Sequence, residues 1–118
     1  MTTQGAKWIR RSTRCAIYNR DNHQCLFCGE ADAALTLDHV VARELGGRDS
    51  ADNLVTACLS CNSAKQAKTM RAWLRYLREA GQCTAGLSQR VRRQLGKALD
   101  RKRGRQLAVA IYGAGCLA

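Results

Sequence analysis

Two pairs of cysteines, Cys25-x-x-Cys28 and Cys58-x-x-Cys61, constrain this chain more than any other feature. Each pair can turn two thiolates toward one ion, and four sulfurs complete the tetrahedral shell that zinc prefers. The 29 residues between the pairs leave room for a strand, a loop and a second strand, so the ion is expected to clamp the base of a hairpin. A redox dithiol is the rival reading, but it needs one Cys-x-x-Cys and leaves the other pair unexplained. Four thiolates saturate the ion, so the site supports a fold and is silent on activity. Cys15, Cys83 and Cys116 have no ligand spacing and read as small core residues, and His23 reads as a surface histidine.

At 118 residues the chain is expected to form one small domain with extensions, and a metal would help its modest core hold together. It carries 20 Lys+Arg against 9 Asp+Glu, a net charge of +11. Most of the cations are Arg, whose planar fork suits phosphate, so a polyanion partner is expected. Two Trp, three Tyr and one Phe make a poor base-stacking platform, which favours backbone contact to a duplex. No apolar run is long enough to span a bilayer, so no membrane partner is expected, and "MTTQGAKWIRRSTR" lacks the apolar stretch of a signal peptide. The expected location is a reducing cytoplasm, where seven cysteines read better as ligands than as disulfides.

Three parts follow along the chain. Residues 1–20 form a basic lead-in with Arg10, Arg11, Arg14 and Arg20, in which Trp8, Ile9, Cys15, Ala16 and Ile17 suit a short packed helix. Residues 21–80 carry the chemistry. There Gly29 allows the turn after Cys28, "ALTLDHVV" and "NLVTAC" read as strands, and "ARELGGRDSAD" reads as the loop between them. One helix is expected from about Asn62, a good N-cap, to near Gly81. Its apolar side is Ala67, Met70, Trp73, Leu74 and Leu77, and Lys68, Arg71, Arg75 and Arg78 flank it. Residues 81–118 form a basic tail, with Ser88 as a possible cap, an apolar face of Val91, Leu95, Ala98 and Leu99, and a stripe of Arg90, Arg93, Lys97 and Arg101. The final "LAVAIYGAGCLA" fits a helix turn or a strand.

Around the cysteine clamp stand Asp38, His39, Asn53 and Asn62. Cutting a phosphodiester requires an activated water, a counter-charge for developing oxyanions and help for the leaving oxygen. A histidine near its ordinary pKa can take a proton at neutral pH. A carboxylate and an amide oxygen suit a hard magnesium-like cation, which the saturated zinc site cannot replace. Lys65, Arg43 and Arg48 are placed to touch phosphate, as are Lys68, Arg71 and Arg75 on the helix flank. Asp38 and His39 are consecutive, so a regular strand would point them to opposite faces.

The order C-x-x-C-G, L-D-H-V, G-G, D-N-L, C-x-x-C-N-x-x-K over roughly residues 20–68 resembles the HNH endonuclease family. His39, Asn53 and Asn62 match its three motif positions, the last as an H-N-N variant of a position that is often histidine. The resemblance implies a small α+β, ββα-metal (treble-clef-like) core with a structural zinc on Cys25, Cys28, Cys58 and Cys61, flanked by basic helical extensions. It also implies His39 as general base, Asp38 and Asn62 as ligands of one Mg2+ or Mn2+, and Asn53 as a brace that orients His39. The implied partner is DNA, duplex or branched, with products carrying 5′ phosphate and 3′ hydroxyl; a homodimer would allow both strands to be cut. A zinc-stabilised nucleic-acid-binding module that cuts nothing fits the charge and the cysteines but gives no reason for the spacing of Asp38, His39 and Asn62. An RNA-binding accessory protein fits the basic tail.

Overall fold

The computed structural model describes residues 8–117; residues 1–7 of the lead-in, and Ala118, lie outside the described residues. Two strands, β1 (Leu35–His39) and β2 (Leu54–Cys58), pair antiparallel, with Leu35 opposite Cys58 and His39 opposite Leu54. Both fall within the stretches read as strands. Among the described residues five α-helices surround them: α1 (Arg11–Arg20), α2 (Leu59–Lys65), α3 (Met70–Glu79), α4 (Leu87–Leu95) and α5 (Arg101–Tyr112). The β1–β2 hairpin followed directly by α2, with the four cysteines at its base, is a small α+β arrangement consistent with a ββα-metal fold. No helix among the described residues is long and apolar enough to cross a membrane.

The period-2 alternation of the strands divides the core. On one face Leu37 and Leu54 pack with Ile9 and Ile17 from the lead-in, which does form a helix. On the other, Val55 and Ala57 meet Cys25, Phe27, Trp73, Leu77, Leu87 and Val91. Trp73 is fully buried and stands edge-on to Phe27, ring centroids 5.5 Å apart at 81°. β2 is buried at all five positions because both faces are covered.

A buried polar knot ties the three parts together. Arg20 forks onto Asp21 (Nε to Oδ1 2.9 Å, Nη2 to Oδ2 3.1 Å) and donates to the carbonyls of Ala51 (2.9 Å) and Leu54 (2.7 Å). Asp21 also accepts from Thr56 N of β2 (2.9 Å) and from Gln94 Nε2 of α4 (3.0 Å). Every charge in the knot has partners, which is the condition for a buried ion pair to be tolerated. Arg14 and Arg20 therefore belong to the interior. Of the lead-in's arginines only Arg10 and Arg11 are exposed.

The helical readings need four corrections. The helix expected from Asn62 to Gly81 is two. Gln66 sits at φ +50°, ψ −134° and ends α2, and Thr69 starts α3 by accepting from Ala72 N through Oγ1 (3.2 Å). Asn62 is no cap, because α2 begins earlier and Cys58 Sγ caps it by accepting from Cys61 N (3.3 Å). Ser88 is likewise inside the first turn of α4, which starts from Gly86. The basic stripe is also broken: Arg90 and Arg93 stay on α4, Lys97 falls between helices, and Arg101 opens α5, which Asp100 caps through Arg103 N (2.9 Å). Of the final stretch, residues 107–112 belong to α5 and Ala114–Leu117 form a 3-10 turn, so the helical alternative holds there.

α5 packs along α1, and at Gly104 a Cβ would come within 2.6 Å of Ser12 O and 2.7 Å of Ala16 Cβ. Cys15 lies in this interior as expected, Cys116 is half-buried, and Cys83 is exposed, contrary to the core reading. Cys83 lies between α3 and α4, where neither core cluster reaches it.

Candidate functional site

The four motif cysteines converge, although 29 residues separate the pairs in sequence. Their Sγ atoms all lie within 4.8 Å of one another, and Cys28 and Cys58 are 3.8 Å apart. Zinc–sulfur bonds of about 2.3 Å place tetrahedral sulfurs about 3.8 Å apart, so the cluster fits that ion. Backbone amides support it: Cys28 N donates to Cys25 Sγ (3.5 Å) and Cys61 N to Cys58 Sγ (3.3 Å). The Cys61 hydrogen bond lowers the Cys25 thiol to about 5 against the pull of burial. The same bond pushes Cys61 far up, and burial raises Cys28. Crowded sulfurs without a counter-charge thus favour one thiolate and oppose the next, a conflict that a divalent ion would relieve.

Beside the cluster, a cavity of about 550 Å³ gathers Asp38, His39, Arg43, Glu44, Asn62 and Gln66 among its walls. Asp38 and His39 do leave β1 on opposite faces. Asp38 turns toward α2, where its Oδ2 lies 3.1 Å from Lys65 Nζ. His39 turns toward the lead-in, its ring 5.1 Å from that of Trp8. Both still line one cavity, which lies where β1 ends. Asn62, in the middle of α2, lines the same cavity.

Burial drives the Asp38 carboxyl up to about 6, with Lys65 pulling the other way. Asp38 Oδ2 is buried and accepts no hydrogen bond of good geometry, even though the ammonium is near. A carboxylate and an amide side chain in the walls of one cavity offer the oxygen ligands that a hard, magnesium-like cation seeks.

Lys65 does not serve the expected phosphate contact. It is completely buried and donates to the carbonyls of His39 (2.9 Å) and Val40 (3.4 Å), in addition to pairing with Asp38. One turn of α2 from Asn62 points it inward under β1 instead of toward solvent, and this corrects the sequence expectation.

Asn53 holds the loop that follows β1. Its Oδ1 accepts from Val41 N (2.9 Å), and its Nδ2 donates to Val41 O (3.0 Å) and Arg48 O (3.0 Å). Its backbone carbonyl accepts from Val40 N (2.9 Å). Gly47 makes this possible, because a Cβ there would fall 1.6 Å from Val41 O.

Of the expected cationic contacts, Arg43 lines the cavity and pairs with Asp49 (2.9 Å). Arg48 is exposed in the neighbouring loop. Arg71 and Arg75 are exposed on α3 and do not line the cavity. Lys68 is half-buried, donating to Ala64 O (2.7 Å) with its ammonium 5.1 Å from the Tyr76 ring. Sequence reasoning missed Asp49, which stands 2.7 Å from His39 Nε2. It also missed Trp8, Glu44 and Gln66; the last carried no signal, since glutamine is not expected at positive φ.

The family model described as HNH endonuclease matches residues 25–68. That span holds all four cysteines, Asp38, His39, Asn53 and Asn62, and excludes Trp8, α1 and α3–α5. No curated protein and no solved structure matches the chain.

Proposed function

We propose, with the HNH match over residues 25–68 as premise, that this chain is a metal-dependent endonuclease that hydrolyses DNA phosphodiester bonds. The observation that carries the reading is the shared cavity of Asp38, His39 and Asn62 beside a zinc-competent cysteine cluster. His39 is the general base that takes a proton from the attacking water. Asp38 and Asn62 would hold one Mg2+ or Mn2+. Such a cation, when bound, offsets charge developing on the phosphate and on the departing 3′ oxygen. Asn53 keeps the loop after β1 in register with His39, and Lys65 keeps Asp38 in place from beneath. Arg43 and Arg48 border the path of the phosphate backbone, while Arg71 and Arg75 extend the cationic surface along α3. Zinc on Cys25, Cys28, Cys58 and Cys61 holds the hairpin to α2 and takes no part in the reaction.

A supercoiled plasmid incubated with the protein should be nicked or linearised in magnesium or manganese and left intact in chelator. His39→Ala should abolish cutting while folding and DNA binding persist. Cleavage retained by that variant would remove His39 from the mechanism. Tight plasmid binding with no cutting in either metal would leave a zinc-clamped binding module, the second reading, which the unexplained grouping of Asp38, His39 and Asn62 disfavours.

A further inference from the structure

We propose that Asp49 is a positioning residue for His39, an inference that rests on the reading of His39 as general base. The Oδ1 of Asp49 stands 2.7 Å from His39 Nε2 and 2.9 Å from Arg43 Nε, so one oxygen receives two donors. A carboxylate has only acceptors, so the proton of the neutral imidazole sits on Nε2 and the lone pair on Nδ1. Trp8 completes the arrangement. Its ring lies 5.1 Å from the imidazole and 4.9 Å from the guanidinium carbon of Arg43. Trp8, His39, Asp49 and Arg43 thereby close a ring in which each member restricts the next.

The loop that delivers Asp49 is anchored independently of this ring. Asn53 Nδ2 binds Arg48 O, the residue immediately before Asp49, and the same amide binds Val41, two residues after His39. The backbone on both sides of the His39–Asp49 contact is therefore set by one side chain. A general base must present its lone pair in one direction, and a misplacement near 1 Å costs on the order of 100-fold in rate. Asp49 supplies that constraint from ten residues away, and Trp8 supplies the ring wall from outside the matched segment.

The test compares Asp49→Ala, Asp49→Asn and Arg43→Ala in the full chain. Asp49→Ala should lower kcat for nicking by roughly 10- to 100-fold with KM for the plasmid unchanged. Asp49→Asn should recover most of that loss, because its amide oxygen still accepts from Nε2–H although its charge is gone. Equal losses in Asp49→Ala and Arg43→Ala with no rescue by asparagine would make Asp49 a mere anchor of Arg43 and overturn the proposal. A second readout needs no activity. The chain has two histidines, His39 and His23, so nitrogen-15 labelling of histidine gives two ring systems. The His39 Nε2 proton should be protected from exchange in the wild type and in Asp49→Asn, and lost from the spectrum of Asp49→Ala. An unchanged His39 spectrum in Asp49→Ala overturns the proposal. A wild-type protein that cuts nothing removes the nuclease reading alone, and the His39 spectrum still decides the contact.

Discussion

Lys65 has no access to water, and its charge is answered by Asp38 and two backbone carbonyls. Removing one partner of such a pair strands the other, at a cost of about 3–5 kcal/mol. Lys65→Ala should destabilise the protein by that amount in denaturant unfolding near neutral pH, far more than Arg71→Ala on the exposed face of α3. Asp38 also has a pH signature. Its carboxyl ionises near 6 in the metal-free fold against about 3.8 when solvated, so the folded state holds the proton more tightly. Its contribution to stability is therefore present at low pH and is lost as pH rises from about 4 through about 6. Cation binding runs the opposite way, because a ligating carboxyl must first lose that proton. Calorimetric affinity for Mg2+ or Mn2+ should be flat above pH 6 and fall about tenfold per unit below it. A flat profile down to pH 5 would remove Asp38 from the ligand set. The burial of Lys65 was illegible in the sequence because lysine is among the least buried of residue types, and only the packing of α2 beneath β1 reverses that preference.

At the scale of elements, Cys58 does three things at once: it ends β2, caps α2 and stands in the sulfur cluster. Its loss should remove the clamp and the cap together. Cys58→Ser, or treatment of the wild type with a strong zinc chelator, should abolish the cooperative melt followed by circular dichroism, because a metal bound at such a site would supply folding energy. A normal melt in either case would contradict the clamp. The cysteine pairs and both strands were legible because their signals are local: fixed short spacings and runs of Leu, Val and Thr. The break between α2 and α3 was not, because Ala67, Met70, Trp73 and Leu77 carry a helical period straight across it. Thr69 was a readable N-cap signal before Met70, whereas the positive φ of Gln66 was not. Asp49 could be read as a turn former and nothing more, since its meeting with His39 depends on the path of a whole loop.

Over the whole molecule the charge is unevenly spent. Arg14, Arg20 and Lys65 are interior, and the remaining described cations include the exposed Arg71, Arg75, Arg90, Arg93, Lys97 and Arg101. Arg90, Arg93 and Lys97 line one groove with Cys28 and Gly29, at the back of the first cysteine pair. The longest dimension is 44 Å, which spans about 13 base pairs at 3.4 Å each. Backbone contacts along such a footprint should make duplex affinity fall with salt at a log-log slope of about 0.9 per phosphate neutralised. Fluorescence anisotropy across a salt series should register this, with Arg71→Ala and Arg75→Ala each lowering the slope by about one unit and leaving the nicking rate of bound DNA unchanged. A flat salt response would remove the electrostatic account.

The knot of Arg20, Asp21, Thr56 and Gln94 bears on portability. A graft of residues 25–68 into a foreign protein would transplant every motif residue, yet Val55 and Ala57 would arrive without Trp73, Leu77, Leu87 and Val91, and Leu54 without Ile9 and Ile17. Thr56 N would lose the carboxylate that receives it. The unit of inheritance visible as a motif is thus smaller than the unit that can stand alone. Recombination that shuffled such a domain would have to carry the structure from Ile9 to Gln94 as one piece.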